Sequence, residues 1–426
     1  MKNLVVTPSK PSGSITIPPS KSHTLRAILF ALMADGVSTI QNYLISPDTD
    51  AMIKACQALG AEITYTDRTL QIKGVAGSPL PAPDIIQAGN SGLVLRFISA
   101  LCALLPSYSI ITGDHSIKTQ RPILPLLEGL NQLGALAEAI GAKGHPPVII
   151  KGPIHPGHLT IDGQDSQPIS AILIAASFLK GTTEVHVDNP GERPWIDMTL
   201  YWLDKLSIPF ARQGYDHFTL HGHAKYKGFD VKIPGDFSSA AFPMAAALIT
   251  KSHITIHNLD QNEIQGDKKI IDIFQSMGAS IQWADQNTLS IDGCQALTGV
   301  AIDINDCIDA LPILAAVGCY ASGSTHIYNG AIARKKESDR ISAITKELKK
   351  LGAHIEEHHD GLIIKQSNLY GTPLFSHHDH RIAMSLAVAA LGAKGNTCIQ
   401  DAECINKTYK DFAEDFTKIG CGINVL

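Results

Sequence analysis

Apolar segments of helical length recur along the chain, and many are followed by a glycine and then a short β-like stretch such as AEITYT. In the segment that ends at Leu351, Ile341, Ile344 and Leu348 recur at the three- and four-residue spacing of an amphipathic helix. A glycine directly after a helix readily adopts the left-handed conformation that ends it. The pattern therefore predicts a series of helix–turn–strand units.

The helix-ending signature is an apolar residue, a glycine and a small residue, and its copies lie about 70 residues apart with one interval of twice that length. The copies stand at 59–61, 133–135, 277–279, 351–353 and 419–421. A sixth is expected near 206–208, after the helix-like segment TLYWLDKL. An earlier helix with a polar start also recurs, beginning near Ser22, Ser91, Ser166, Ser238, Asp309 and His380. The sequence thus predicts six βαβαββ-like repeats.

Six such repeats are too many for one barrel-sized core, so we expect two domains with three repeats each. The candidate hinges are Pro18-Pro19 and Pro234-Gly235, where the chain would leave one domain and return to it. One domain would comprise residues 20–234, and the other residues 1–19 together with 235–426. Ligands commonly bind between domains, so we expect the active site in the cleft between them.

Composition narrows the class of protein. The chain has 426 residues, of which 44% are hydrophobic and 18% charged, as in an ordinary α/β enzyme. A net charge of −5 and the lack of a long basic stretch argue against a nucleic-acid or acidic-membrane binder. Eight cysteines without a C-x-x-C pair favour reduced thiols in the cytoplasm. Without a signal peptide or a membrane-spanning run, we expect a cytoplasmic protein, and a monomer because no long amphipathic seam stands out.

The polar segment at 376–381, SHHDHR, precedes the apolar helix IAMSLAVAAL. A helix N-terminus offers unpaired N–H groups and a partial positive charge, so with Arg381 it predicts an anion site. Two other interpretations stay open, a capped helix with a solvated start and a metal site of three histidines. The metal site is disfavoured because no cysteine or carboxylate ligands occur at matching spacing nearby.

Cations stand at or near four predicted helix starts and in two loops. These residues are Lys21, Arg26, Arg96, Lys336, Arg340 and Arg381 near the helices, and Arg121 and Lys407 in the loops. Each one alone is better explained as a solvated charge beside a helix cap. Their recurrence at related positions of a repeat indicates a ligand set with several negative charges, since arginine and lysine suit carboxylates and phosphates.

Nine motifs, in order along essentially the whole chain, resemble those of the EPSP synthase family, the 3-phosphoshikimate 1-carboxyvinyltransferases. They are PPSKSHTLRA (18–27), GNSGLVLR (89–96), RP (121–122), PGDFSSAAF (234–242), QGD (265–267), IDALP (308–312), KESDR (336–340), DHRIAM (379–384) and NKTY (406–409). KESDR and DHRIAM are the most specific. The resemblance implies an α/β (α+β) fold, a two-domain inverse α/β barrel of the enolpyruvyl transferase type with six βαβαββ-like repeats.

The resemblance also implies the reaction. The enolpyruvyl group of phosphoenolpyruvate would pass to the 5-hydroxyl of shikimate 3-phosphate by addition–elimination, with release of phosphate, in the biosynthesis of chorismate and the aromatic amino acids. Both partners are small molecules, and no metal or organic cofactor is implied.

By similarity, Asp309 is the proton acceptor, Lys21 and Glu337 handle protons at the enolpyruvyl carbon, and His380 orients the cluster. The residues that would hold shikimate 3-phosphate are Lys21, Ser22, Arg26, Ser166, Gln167, Asp309 and Lys336. Those that would hold phosphoenolpyruvate are Lys21, Asn90, Gly92, Arg121, Gln167, Arg340, Arg381 and Lys407.

Some residues depart from the family pattern, and two of them concern the acceptor site. Asp165 and Glu192 stand where the family usually has serines that face the acceptor phosphate, and carboxylates there would repel a dianion. We expect Arg193 and Arg26 to neutralise them, or the loops to be displaced by one residue. The remaining possibility is that the acceptor is not phosphorylated.

Other functions stay open at this point. One is transfer to another acceptor, as by UDP-N-acetylglucosamine 1-carboxyvinyltransferase, although the reactive cysteine of that enzyme is missing from loop 112–121. Another is a catalytically silent anion-binding homologue. The retained acid–base set of Lys21, Asp309, Glu337 and Lys407 argues against it, because binding alone would not need these groups.

Overall fold

The computed structural model describes residues 2–426, and over that range the chain divides into two compact units. The first unit comprises Met1–Pro19 and Pro234–Leu426, and the second comprises Ser20–Ile233. Each unit contains three four-stranded sheets.

The strands are short and lie along the whole described range. In chain order they are β1 (Leu4–Thr7), β2 (Gly13–Thr16), β3 (Val37–Gln41), β4 (Glu62–Thr66), β5 (Thr69–Lys73), β6 (Ile86–Gln87), β7 (Tyr108–Thr112), β8 (Leu136–Ala139), β9 (Val148–Lys151), β10 (His158–Asp162), β11 (Thr183–Asp188), β12 (Phe210–Gln213), β13 (His217–Leu220), β14 (Asp230–Lys232), β15 (His253–His257), β16 (Ser280–Asp285), β17 (Thr288–Asp292), β18 (Ala301–Asp303), β19 (Ser324–Tyr328), β20 (His354–His358), β21 (Gly361–Lys365), β22 (Pro373–Phe375), β23 (Thr397–Gln400) and β24 (Gly422–Val425).

The helices alternate with these strands. They are α1 (Lys21–Met33), α2 (Pro47–Ala58), α3 (Gly92–Cys102), α4 (His115–Gln120), α5 (Leu124–Gln132), α6 (Ser166–Ala176), α7 (Arg193–Lys205), α8 (Phe237–Thr250), α9 (Ile270–Ser276), α10 (Leu311–Gly318), α11 (Arg340–Lys350), α12 (His380–Leu391) and α13 (Phe412–Lys418). Short 3-10 segments lie at Ala142–Gly144, Gly266–Lys269, Asn305–Ala310, Ala331–Lys335 and Ala402–Lys407.

All six sheets share one topology. An edge strand runs parallel to the second strand, and the second, third and fourth strands pair antiparallel, as in the order β10-β11-β13-β12. Three sheets take all their strands from one continuous stretch of chain, whereas the other three are completed by β14, β2 and β1. This arrangement confirms the predicted six βαβαββ repeats, three in each unit, and the predicted α/β class.

One helix of each repeat is almost wholly buried. These inner helices are α1, α3 and α6 in the second unit and α8, α10 and α12 in the first. The helices α8, α10 and α12 pack against one another, and α3 packs against α1 and α6. Removal of their apolar side chains from water stabilises each unit, and it holds the polar residues at the helix starts on rigid supports.

The predicted helix ends are confirmed. Gly60, Gly134, Gly278, Gly352 and Gly420 all have φ between +92° and +105°. At the expected sixth copy, Ser207 follows α7 with φ of +55°, so a serine occupies the left-handed position that glycine takes in the other repeats.

Most predicted helix starts are also found, with one difference. Ser91, Asp165, Asp236 and Asp379 cap α3, α6, α8 and α12 with their side chains. Asp309, near which a helix was predicted to begin, lies instead in the 3-10 segment Asn305–Ala310, and α10, which follows that segment, has no side-chain cap. The Asp309 carboxylate is therefore available for other contacts.

Candidate active site

In the first unit, Arg340 joins three carboxylates. Its Nη1 donates to Asp309 Oδ1 at 2.6 Å, its Nη2 to Glu337 Oε2 at 2.7 Å, and its Nε to Asp379 Oδ2 at 2.8 Å. The side chain is 1% exposed. Arginine suits this position because its planar group presents several donors in fixed directions, which a lysine does not. We call Asp309, Glu337, Arg340, Asp379, Arg381 and Lys407 the acid–base cluster.

A second arginine reaches Asp309 from the start of α12. Arg381 Nη2 lies 3.4 Å from Asp309 Oδ2, and its Nη1 donates to the carbonyl oxygen of Ser238 at 3.0 Å. The Ser238 hydroxyl accepts a further hydrogen bond from Arg381 Nη2. The starts of α8 and α12 are thereby joined beside Asp309.

The remaining predicted residues of this unit lie close to Arg340. Lys407 Nζ lies 2.8 Å from Glu337 Oε1, so Glu337 is shared by two cations. Lys336 and Glu337 precede α11, whose first residue is Arg340, and the charge of Lys336 acts on Asp309. The ring of His380 is buried, with Nδ1 3.7 Å from Asp379 Oδ1.

The cluster sets the charge state of its members. Burial raises the pKa of Asp309, but the positive charges of Arg340, Arg381 and Lys336 outweigh this and hold it well below its usual range. Burial lowers the pKa of Arg340, and the surrounding carboxylates, Asp379 first, raise it well above its ordinary value. The neighbouring cations therefore favour the ionised carboxylate of Asp309, which accepts hydrogen bonds from Arg340 and Arg381.

In the second unit, four residues come together at the start of α3, three of which were predicted to bind phosphoenolpyruvate. Arg96 Nη1 donates to Gln167 Oε1 at 3.0 Å and to the carbonyl oxygen of Gly92 at 3.3 Å. A Cβ at Gly92 would lie 2.7 Å from Arg96 Nη1 and 3.6 Å from Arg121 Nη1. The absence of a side chain at Gly92 therefore allows the close approach of the buried Arg96 guanidinium. We call Gly92, Arg96, Arg121 and Gln167 the cation cluster.

The two carboxylates that depart from the family pattern lie at the start of α6. Asp165 Oδ2 is 3.0 Å from Arg96 Nη2, and Glu192 Oε2 accepts from the N–H of Ser166 at 3.3 Å and from its hydroxyl at 3.5 Å. Glu192 is 2% exposed and has a left-handed backbone, with φ of +47°. Its carboxylate therefore occupies donors that an external anion would use.

The cations expected beside these carboxylates have other contacts. The guanidinium of Arg193 lies over the ring of Tyr215 at 5.3 Å, and Arg26 donates to Thr199 Oγ1 at 3.0 Å. The cation that the structure places on Asp165 is Arg96. Sequence spacing gave no indication of this pair, because it depends on how α3 packs against α6.

The start of α1 carries three more predicted residues. Lys21 Nζ lies 3.6 Å from Asp48 Oδ2, and Arg26 donates to the carbonyl oxygens of Ser22 and Trp195. Burial lowers the pKa of Arg26 to about 9, which leaves it charged at neutral pH. Asn90 donates through Nδ2 to Asp114 Oδ2 at 2.7 Å in the loop before α3.

The structure also brings in residues that the sequence analysis did not assign. Asp379 accepts from both Arg340 and Ser338, and Ser238 anchors Arg381. Asp379 lies in the motif DHRIAM and Ser238 in the motif PGDFSSAAF. The motifs therefore identified these segments but did not predict their contacts.

Within residues 2–426, no group of three or more His, Cys, Asp or Glu has an arrangement that could hold a metal ion. No helix of the described chain is long and apolar enough to cross a membrane.

A six-repeat α/β fold with buried cations beside ionised carboxylates is typical of an enzyme that acts on anionic small molecules. Comparison with known proteins gives the family. The model of the EPSP synthase (3-phosphoshikimate 1-carboxyvinyltransferase) family matches residues 5–416, and the chain belongs to this family. The predicted resemblance is confirmed.

Similar proteins cover nearly the whole chain. The 3-phosphoshikimate 1-carboxyvinyltransferase of Chlamydia felis is 44% identical over 420 residues, which are 98% of this chain and 94% of the relative. The enzyme of that name from Acetivibrio thermocellus is 43% identical over 421 residues, 99% of each chain. A solved structure of EPSP synthase from Acinetobacter baumannii matches with a TM-score of 0.84 and 28% identity over all of both chains.

Proposed function

We propose that this chain transfers the carboxyvinyl group of phosphoenolpyruvate to the 5-hydroxyl of shikimate 3-phosphate, giving 5-enolpyruvylshikimate 3-phosphate and phosphate. The reaction belongs to the biosynthesis of chorismate and the aromatic amino acids. The observation that carries the proposal is the position of Arg340, which holds Asp309 and Glu337 together in a chain of this family. Addition and elimination need two proton-transfer groups near each other, and this arginine supplies such a pair.

Asp309 takes the proton of the 5-hydroxyl while the hydroxyl oxygen bonds to C2 of phosphoenolpyruvate. In the free protein, Arg340 and Arg381 both contact Asp309 and make it a weak base. An anionic substrate that engages these arginines withdraws positive charge from Asp309 and raises its proton affinity. The base therefore becomes effective once the substrate is bound.

Glu337 and Lys21 exchange protons with C3. As the C2–O bond forms, C3 gains a proton and becomes a methyl group. The bond from C2 to the phosphate oxygen then breaks, phosphate leaves, and C3 loses a proton to restore the double bond. Lys21, a cation, supplies the proton that C3 gains. Lys407 and Arg340 favour the ionised form of Glu337, which suits it to accept the proton that C3 then loses.

The residues that bind the two substrates are those named from the resemblance to the family. Phosphoenolpyruvate contacts Lys21, Asn90, Gly92, Arg121, Gln167, Arg340, Arg381 and Lys407. Shikimate 3-phosphate contacts Lys21, Ser22, Arg26, Ser166, Gln167, Asp309 and Lys336, and His380 orients the acid–base cluster. Several fixed guanidinium groups suit substrates with two carboxylates and two phosphates, because arginine pairs with such groups through two hydrogen bonds.

The enzyme acts as a monomer in the cytoplasm. All six sheets are completed by strands of the same chain, so no second copy is needed to finish a sheet. All eight cysteines are free thiols, which fits a reducing compartment. Light scattering on the purified protein measures its molar mass in solution. A mass equal to two chains would contradict the proposed monomer.

Phosphate release tests the function directly. We expect release with phosphoenolpyruvate plus shikimate 3-phosphate, and a decrease of about 10²–10⁴-fold in kcat for Asp309→Asn or Glu337→Gln. Asp306→Asn is a matched control, because Asp306 lies in the same 3-10 segment as Asp309 but pairs with Lys269. Phosphate release only with unphosphorylated shikimate would show that the acceptor is not phosphorylated. No phosphate release with either acceptor would indicate that the chain is an anion-binding homologue without catalytic activity.

A further inference from the structure

Asp267 is a buried carboxylate in the first unit that the proposed mechanism does not use. It is 1% exposed, and neither carboxylate oxygen has a hydrogen-bond partner among residues 2–426. An ionised carboxylate buried without partners is costly, and such groups commonly remain protonated instead. The position of Asp267 therefore favours the neutral acid.

The neighbouring Gln265 holds Asp267 in this position. Gln265 Oε1 accepts from the N–H of Phe237 at 3.0 Å, and Nε2 donates to the carbonyl oxygen of Gly235 at 2.9 Å. These bonds tie the 3-10 segment Gly266–Lys269 to the start of α8. Asp267 is consequently fixed beside the acid–base cluster.

Charged groups from several elements face Asp267. They are Asp309 and Cys307 from the segment Asn305–Ala310, Arg381 from α12, Asp236 from the cap of α8, and Arg340 from α11. On its own segment, Lys269 pairs with Asp306 at 3.1 Å and Lys268 donates to the carbonyl oxygen of Gln261. Burial raises the pKa of Asp267 well above its usual range. The negative charges of Asp309 and Asp236 raise this pKa further, while the positive charges of Arg381 and Arg340 lower it by less.

Arg381 is the group that ionisation of Asp267 would disturb. Its Nη2 lies 3.4 Å from Asp309, whereas its buried Nε has no hydrogen-bond partner among the described residues. An ionised Asp267 would offer this guanidinium a second carboxylate and would compete with Asp309 and with an anionic substrate. We propose that Asp267 is a positioning residue that stays a neutral carboxylic acid during the reaction, so that Arg381 remains on Asp309. The role in catalysis rests on the function proposed above.

Thermal unfolding without substrates tests the charge state. A carboxyl group whose pKa is higher in the folded than in the unfolded state stabilises the fold fully only at low pH, and this stability is lost as pH rises through the folded pKa. Asp267→Asn replaces the carboxyl group with an amide, which is neutral at every pH. We expect the Tm of Asp267→Asn relative to wild type to rise from pH 5 to pH 9, and Asp272→Asn, an exposed control on α9, to give a constant difference. A constant difference for Asp267→Asn would overturn the proposal.

The pH profile of kcat/KM tests the positioning role. We expect Asp267→Asn to keep kcat within about threefold of wild type at neutral pH and to stay active to higher pH than wild type. A loss of more than about a hundredfold in a variant with unchanged Tm would mean that the ionised carboxylate is required, and would overturn the proposal. A profile that superimposes on wild type would also overturn it. The unfolding measurements use no substrate, so they decide the charge state even if the wild-type protein releases no phosphate.

Discussion

At the scale of single residues, Arg340 has the most demanding position in the acid–base cluster. Lysine keeps the charge but cannot direct separate N–H groups at Asp309, Glu337 and Asp379. We expect Arg340→Lys to lower kcat/KM about 100-fold or more and to reduce the free energy of unfolding by about 3 kcal/mol, because buried carboxylates lose their partners. Phosphate release and chemical denaturation measure the two effects.

Arg334→Lys is the matched control for that substitution. Arg334 contacts Asp339 and Glu357, but its side chain is 23% exposed and its pairs are partly solvated. We expect a loss of less than about 1 kcal/mol and unchanged kcat. Equal losses for the two variants would contradict a special role for Arg340.

Glu192 gives a second prediction at this scale, concerning the acceptor. Its carboxylate accepts from Ser166 at the start of α6, so it both occupies two donors and repels an incoming phosphate. We expect Glu192→Ser to lower the KM for shikimate 3-phosphate about tenfold, equivalent to about 1.4 kcal/mol, with kcat nearly unchanged. Steady-state kinetics measure this.

An exposed glutamate of the same unit serves as the control. Glu184→Ser on β11 removes the same charge at a side chain that is 41% exposed and pairs with His158, and should leave KM unchanged. A higher KM for Glu192→Ser would show instead that the carboxylate helps to organise the bound acceptor.

At the scale of elements, Ser207 is the exception among the six helix ends. A left-handed backbone costs a residue with a Cβ about 1 kcal/mol, and the Ser207 side chain is exposed, so it gains little from burial. We expect Ser207→Gly to increase the free energy of unfolding by about 0.5–1 kcal/mol. The reverse change, Gly134→Ser after α5, should decrease it by a similar amount, since a Cβ there meets only His155 at 3.4 Å. Equal signs for the two changes in denaturation experiments would contradict this account.

The sequence predicted much at this scale, because helix ends and starts are local features. The glycines of the repeat and the polar caps of α3, α6 and α12 follow from neighbouring residues alone. The pairing of Arg96 with Asp165 does not, since it depends on the packing of two helices far apart in the chain. The lack of a hydrogen-bond partner for the buried Asp267 carboxylate among the described residues likewise depends on residues distant in sequence. The motif QGD alone does not predict it.

At the scale of the whole molecule, three sheets depend on strands distant in sequence. In the second unit, β14 runs parallel to β3, with Val231 opposite Ile40, and thereby completes the sheet β14-β3-β5-β4. The Pro234-Gly235 motif was predicted as a hinge, but it gave no sign that a strand near this point completes the first sheet. Pairing β14 with β3 closes a long loop of chain, and the entropic cost of that closure is offset only when the unit has packed completely.

The second unit should therefore fold as an isolated fragment that includes β14. Residues 20–233 contain three complete sheets and the buried helices α1, α3 and α6. A fragment of residues 20–226 lacks β14 and exposes the edge of β3, including the N–H of Thr39 that otherwise donates to Phe229. We expect cooperative thermal unfolding for 20–233 and a Tm lower by about 5 °C or more for 20–226, corresponding to a loss of about 2 kcal/mol. Lys227→Ala within 20–233, which removes only an exposed ion pair with Asp35, should leave the Tm within about 1 °C. An unfolded 20–233 would mean that the stability of this unit depends on the rest of the chain.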